Sequence, residues 1–446
     1  MRLNNYFDIS ALTAVPVLGK GLEEFEATAG AEPVVETPET PEDVVAGLDT
    51  AEEAQAHYVG EVEELQQAEV ALEQYLDVVA KANRTGYGLS PDAVKLLGLG
   101  LEHWERKFPM PALGLEDYPV IASSAQGADN AEKGIMARLK KVWEMIKKAY
   151  AHLKEAAAAY YHKITSSMHS LDKRCEQLQG KLKDLKNNPD AADFEVKNAP
   201  MLFTGTKFIG QEPASMKEFN YWAFNKYPTD LDRYIKEITQ LIRDIRPEST
   251  HVTFTKALLA VKMPIGNMYT NLHHKDKEGV FYYDDLPGNK VLMIDWPKMD
   301  DSYRSVAEAV RGFNIDMGTL ADAPASPESV TVTPSNVDTL KRRLDTISKA
   351  VKEAMLRESD VRSVNTAIVS LNTATEDCHK RNGSPTNFGA DGTKHPSLLA
   401  TYLVGSVQKM STTGINNILA YVAKAYHAQL MLIDREIAAH EKAPTA

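Results

Sequence analysis

The chain has 446 residues, of which 43% are apolar and 25% are charged, and its formal net charge is −12. This composition is typical of soluble globular proteins, and the length allows two or three domains. The two cysteines are too few for a disulfide framework, and no apolar run approaches the ~18 residues of a membrane span. We therefore expect free thiols and no membrane partner.

The negative charge is concentrated in the N-terminal part of the sequence. Residues 1–116 contain 22 acidic and 7 basic residues, a net charge of −15, whereas the remainder contains 40 acidic and 43 basic residues, a net charge of +3. Like-signed charge on this scale keeps a segment solvated and repels nucleic acid. The step falls within Lys107–Val120, KFPMPALGLEDYPV, whose prolines and glycine separate two helical patterns.

Two domains are predicted in the acidic part of the sequence that precedes the charge step. Residues 1–47 are rich in Glu, Pro, Thr and Ala, which predicts a flexible acidic segment. Residues 48–116 are predicted to be an acidic helical domain. One of its helices should begin at Ser90-Pro91, because serine caps helices and proline is tolerated at the first helical position, and should end near Lys107.

The remaining sequence predicts three further domains. They are a long-helix region at 117–248, a mixed α/β insertion at 249–320 and a C-terminal helical domain at 336–446. The proline-free stretch from Ala131 to Asn188 is predicted to be helical, with Gly134 and Gly180 shortening it. In the C-terminal domain, apolar residues spaced three or four apart predict packing inside a helical bundle: Leu340, Leu344, Ile347, Val351 and Met355.

A small β element is predicted inside the mixed insertion. Aromatic and β-branched runs flank the turn Leu286–Asn289, which is the pattern of a β-hairpin. Strands at Val252–Phe254 and Ala257–Val261 are expected to join it, and Leu320–Ser335 is expected to be a loop. The predicted fold is mainly α, with long helices in bundle-like packing and a small antiparallel β element around residues 250–296.

Motifs for catalysis and cofactor binding fail when their spacing is checked. The sequence has no phosphate-binding loop, no dinucleotide fingerprint, no zinc-binding helix and no Cys-x-x-Cys pair, so we predict no enzyme activity, cofactor or metal. His273 and His274 are adjacent, so their imidazoles converge poorly on a metal, and we expect them to lie in a solvated loop. Asp284 and Asp285 precede a Pro-Gly turn, which explains them better than paired catalytic carboxylates. An enzyme that uses these four side chains is the least favoured interpretation.

A basic run lies in the predicted long helix. Residues 131–188 contain 13 basic and 6 acidic residues. Clustered cations of this kind can contact phosphates, although a solvated amphipathic face is the favoured explanation. The candidate polyanion contacts are Arg138, Lys140, Lys141, Lys147 and Lys148.

Residues 50–118 resemble the N-terminal region of internal head proteins of large tailed bacteriophages. The similar stretches are LEQYL (Leu72–Leu76), GLSPDA (Gly88–Ala93), GLEHWERKF (Gly100–Phe108) and PALGLED (Pro111–Asp117). The resemblance is to the T-even-like internal or prohead-core proteins and to the inner-body proteins of phiKZ-like phages. It covers residues 50–118 of the 446-residue chain.

The resemblance implies a precursor that enters the assembling prohead in the host cytoplasm and loses its N-terminal propeptide to the phage maturation protease. It also implies a place inside the virion head, capsid and prohead proteins as partners, weak non-specific contact with packaged DNA, and ejection with that DNA. A protease that cuts after a small residue, any residue and Glu would recognise Gly114-Leu115-Glu116 and leave Asp117 as the first mature residue. Nine other glutamates match the same rule, at Glu23, Glu32, Glu53, Glu73, Glu102, Glu212, Glu328, Glu376 and Glu441.

A different interpretation of the same sequence is a helical adaptor with a permanent acidic N-terminal arm. It explains the charge step without any processing. An intact 49.3 kDa species in mature particles would favour it.

Overall fold

The structure is a computed structural model. It describes residues 60–82 (except 62, 63, 66, 73, 77 and 80), 89–107, 125–262, 264, 273–274, 280–295, 300, 302–319, 324–356, 358–382 and 396–442. These residues form two compact units: the described part of 68–149 is one, and the described parts of 44–67 and 150–446 are the other.

Long helices dominate the N-terminal part of the described chain. The described residues between 60 and 82 are helical (α1), and they are followed by α2 (Pro91–Lys107) and α3 (Ala125–Asp184). Helix α2 begins as predicted, because the Ser90 hydroxyl accepts a hydrogen bond of 3.2 Å from the Ala93 N–H and Pro91 follows the cap. Helix α3 has 60 residues, which corresponds to a length of about 90 Å.

Eight short strands follow α3 and form three antiparallel sheets among the described residues. They are β1 (Phe194–Lys197), β2 (Phe203–Thr204), β3 (Lys207–Phe208), β4 (His273–His274), β5 (Val280–Leu286), β6 (Lys290–Asp295), β7 (Asn314–Thr319) and β8 (Ser329–Val332). Strand β1 pairs with β8, β2 pairs with β3, and the third sheet has the order β4-β5-β6-β7. The predicted hairpin is confirmed, since β5 and β6 pair across the turn Pro287–Asn289.

Eight further helices complete the described fold. They are α4 (Lys217–Tyr221), α5 (Tyr227–Arg243), α6 (His251–Ala260), α7 (Tyr303–Gly312), α8 (Val337–Leu356), α9 (Glu358–Asn382), α10 (Ser397–Gln408) and α11 (Ile415–Glu441). Two π-helical turns, Trp222–Lys226 and Lys409–Gly414, connect α4 to α5 and α10 to α11. The mainly α fold is therefore confirmed. None of the described helices is long and apolar enough to cross a membrane.

Three predictions about local structure were wrong. The strands expected within 252–261 are instead helix α6, because the Thr250 hydroxyl caps the helix by accepting a hydrogen bond from the Thr253 N–H. Helix α3 runs through Gly134 and Gly180 without a break, since each glycine costs only about 1 kcal/mol relative to alanine among many good helix formers. The expected loop at 320–335 contains β8, whose partner β1 lies far away in the sequence.

Helix α8 contributes its apolar stripe to the buried core. The predicted seam is confirmed from Leu340 to Val351, because Leu340, Leu344 and Ile347 are fully buried and Val351 is 1% exposed, whereas Met355 is only partly buried. Both cysteines are buried. Burial raises the pKa of the Cys175 thiol to about 12, and it also raises the pKa of the Cys378 thiol. Both thiols therefore remain protonated at neutral pH.

Two glycines in helical segments are expected to respond in opposite ways to the same substitution. A Cβ at Gly414 would lie 2.5 Å from Tyr227 Oη and 2.8 Å from Ile315 Cγ2, so Gly414→Ala should destabilise the protein by about 1–3 kcal/mol. A Cβ at Gly180 meets nothing within 4 Å, so Gly180→Ala should stabilise it by up to about 1 kcal/mol. Thermal unfolding of the two variants measures both effects, and equal shifts in Tm would contradict the packing around Gly414.

Candidate functional site

The predicted cleavage site, Gly114-Leu115-Glu116 followed by Asp117, lies outside the described residues. Helix α2 ends at Lys107 and helix α3 begins at Ala125, so the site falls in the sequence between them. The prediction of two helical patterns on either side of this joint is thus confirmed.

The tripeptide Gly-Leu-Glu occurs three times, at 21–23, 100–102 and 114–116. The second copy lies in α2, where Leu101 is fully buried. A protease needs an exposed, extended substrate, so this copy is a poor one in the folded protein. The copy at 100–102 can therefore serve as a control for the copy that ends at Glu116.

Four other matches to the cleavage rule are described. Glu376 lies inside α9, and Glu441 is the last residue of α11. Glu212 comes directly before a 3₁₀ turn, and the carbonyl of Glu328 accepts a hydrogen bond of 2.9 Å from the Asn198 N–H. Helical or hydrogen-bonded backbone makes each of these a less suitable substrate than an extended segment.

The predicted polyanion contacts lie along the first half of α3, but they differ in availability. Both Nε and Nη2 of Arg138 donate to the carboxylate of Glu105, at 3.1 and 2.7 Å. This hydrogen bond raises the pKa of Arg138, and the carboxylate balances its charge. Lys141 is exposed. Lys140, Lys147 and Lys148 lie in α3, and their side chains are outside the described part.

The four residues that an enzyme would use, two histidines and two aspartates, lie in the four-stranded sheet. His273 and His274 form β4, rather than the solvated loop we expected, and pair with Tyr282 and Phe281 of β5. Asp284 and Asp285 lie in β5, where the register with β6 shifts. The described cavity is elsewhere, and its lining is apolar, with Phe224, Val361 and Ile415 among its residues. In the described part of the chain, no group of three or more His, Cys, Asp or Glu could hold a metal ion.

A buried ion pair, which the sequence did not reveal, connects α8 to α11. Arg343 Nη1 donates to Glu436 Oε1 at 2.6 Å, and the two side chains are 5% and 0% exposed. The Ser335 N–H donates to Glu436 Oε2 at 2.7 Å, and Arg343 Nη2 donates to the Gly210 carbonyl at 3.2 Å. We name Arg343, Glu436, Ser335 and Gly210 the Arg343–Glu436 cluster.

His440 extends the contacts of this cluster by one turn of α11. The Asn188 N–H donates to His440 Nδ1 at 3.3 Å, so Nε2 carries the proton that is donated to the Ser335 carbonyl at 2.8 Å. The segment after α3, the segment before α8, and α11 therefore meet at one place. Both oxygens of Glu436 are occupied, so the arrangement joins chain segments and does not present a reactive group.

These observations define a mainly helical protein in which buried charged groups hold separate chain segments together. The chain belongs to the phiKZ-like phage internal head proteins, because the family model matches residues 39–435. No curated protein and no solved structure gives a significant match.

The family match confirms the resemblance found at residues 50–118 and extends it over most of the chain. It identifies the protein as a structural component of the interior of the phage head. It also indicates a structural role instead of a catalytic one.

Proposed function

We propose that the protein is made as a precursor whose acidic residues 1–116 are a propeptide, removed by the phage maturation protease after Glu116. The observation that carries this proposal is the charge step. Cleavage there removes a segment with a net charge of −15 and leaves one of +3. The joint between α2 and α3 falls at the same place.

The charge step gives the propeptide a physical role. During assembly in the host cytoplasm, an acidic segment repels DNA and leaves the prohead proteins as partners. After cleavage, the remaining chain shares the confined head with packaged DNA at lower repulsion and makes weak, non-specific contacts with it. Ejection with the DNA belongs to the same proposal and follows from the resemblance alone. We assign no catalytic activity to the chain.

The experiment compares two copies of one tripeptide in infected cells. In phage that encode Glu116→Gln, we expect the 49.3 kDa precursor to persist in mature heads, because the protease loses the acidic residue that it recognises. Glu102→Gln alters the same tripeptide inside α2 and should leave processing unchanged. Western blots of purified heads give the readout. Normal processing of Glu116→Gln would contradict cleavage at this bond.

The adaptor interpretation makes the opposite prediction for the unmodified protein. In that case, the acidic arm stays attached in the finished particle. Wild-type heads would then contain the precursor alone.

A further inference from the structure

Helix α2 has a second apolar face that the described residues of its unit do not cover. Its buried face consists of Val94, Leu97, Leu101 and Trp104. On the other side, Leu96 is 69% exposed and Leu99 is 56% exposed. Exposed leucines one turn apart on a helix form an apolar stripe that another surface can cover.

The charges on either side of Leu99 are arranged symmetrically. Asp92 lies seven residues before Leu99, and Arg106 lies seven residues after it, so all three share one stripe of the helix. At 1.5 Å per residue, each charge is about 10.5 Å from Leu99 along the axis. Lys95 and Glu102 flank Leu99 more closely, again with opposite signs at the two ends. Asp92, Lys95 and Arg106 are exposed, and Glu102 is partly exposed.

We propose that α2 pairs in an antiparallel orientation with α2 of a second copy of this chain, with Leu99 on the two-fold axis. In that arrangement, Asp92 of each copy faces Arg106 of the other, and Lys95 lies one residue away from the position opposite Glu102. A parallel arrangement would place like charges opposite each other and is therefore disfavoured. The two helix dipoles also oppose each other favourably in the antiparallel pair. A self-complementary patch of this kind is what a two-fold interface requires.

This contact is small, so it forms a weak interface that matters where copies are concentrated, as in an assembling head. Arg106 already pairs with Glu102 in its own helix, and it exchanges that exposed partner for Asp92 of the second copy at little cost. Helix α2 lies within residues 1–116. If the proposed function holds, the contact is present in the precursor and is lost when the propeptide is cut off; the pairing itself does not depend on cleavage.

Disulfide cross-linking of the full-length chain tests the geometry. Leu99→Cys brings two thiols together at the axis, so mild oxidation should give a covalent dimer at least about tenfold faster than Leu356→Cys. Leu356 is 77% exposed and lies in α8, so it is a matched control for exposure. Cys175 and Cys378 are buried and should not react.

The orientation has its own test. Asp92→Cys and Arg106→Cys should each fail to cross-link alone, and they should cross-link when the two variants are mixed. Self-cross-linking of Asp92→Cys alone would show a parallel pair and would overturn the proposal. In phage heads, a cross-link from Leu99→Cys to a different head protein, in place of a second copy, would also overturn it.

Sedimentation equilibrium measures the affinity without cross-linking. Leu99→Asp should weaken self-association of the full-length chain by about tenfold or more, because it places a charge where the leucine would be buried on the axis. Leu356→Asp should leave it unchanged. A chain that is monomeric at all concentrations, or a dimer unaffected by Leu99→Asp, would overturn the proposal. Neither result bears on processing at Glu116, which the Glu116→Gln experiment measures separately.

Discussion

Replacing Glu436 with leucine is expected to lower the free energy of unfolding by about 3–5 kcal/mol. The substitution leaves the Arg343 guanidinium in a site where its side chain is only 5% exposed, without the carboxylate that balances its charge. It also removes the acceptor of the Ser335 N–H. Urea denaturation followed by far-UV circular dichroism measures the loss.

Two variants test whether the buried charge is the cause. Glu308→Leu breaks a pair with Arg304 whose side chains are 56% and 88% exposed, so it should have little effect on the free energy of unfolding. The double variant Arg343→Met with Glu436→Leu removes both buried charges and should recover most of the stability. Equal losses for Glu436→Leu and Glu308→Leu would show that the Arg343–Glu436 cluster does not stabilise the fold.

Replacing Phe219 with alanine is expected to cost about 3–5 kcal/mol. Phe219 is fully buried in α4, and its ring lies edge-on to Tyr421, with the ring centroids 5.8 Å apart. Its centroid is 6.2 Å from that of Trp222. The truncation therefore removes a large apolar side chain and leaves a cavity between α4 and α11.

Tyr221 offers a control in the same short helix. Its side chain is 54% exposed, and its ring contacts the Lys226 ammonium at 5.7 Å. Tyr221→Ala should therefore cost less than about 1 kcal/mol, the value of an exposed cation–π contact. Thermal unfolding of both variants gives the comparison, and similar losses would contradict the packing of Phe219 in the core.

Local signals in the sequence were sufficient for features that depend on neighbouring residues. The Ser90 cap, the turn between β5 and β6, and the buried seam of α8 each follow from residues within a few positions of one another. Helix α6 shows the limit of such reasoning. Its β-branched and aromatic residues favour a strand by propensity, but the Thr250 cap and tertiary packing favour a helix.

Features that depend on distant residues were not predictable from one sequence. Strand β8 forms by pairing with β1, and neither strand is long enough to give a clear pattern alone. Arg343 and Glu436 are 93 positions apart. Each looks like an ordinary surface charge on an amphipathic helix until the helices pack together. Arg138 and Glu105 likewise look like ordinary surface charges in the sequence. Their pairing in the fold balances the charge of Arg138, so Arg138 is a weaker candidate for contacting phosphate.

The proposed role of the protein depends on the bond after Glu116. The family match establishes an internal head protein, and the charge step indicates why such a protein would lose its N-terminal part. Self-association through α2 would then be confined to the precursor. In this account, the acidic segment is present during assembly, and its removal lets the remaining chain share the head with packaged DNA.

Intact-mass spectrometry of the protein from purified virions tests this account most directly. We predict a mature species that begins at Asp117, with residues 1–116 absent or present only as fragments. Recovery of the whole 446-residue, 49.3 kDa chain at full stoichiometry would contradict the account.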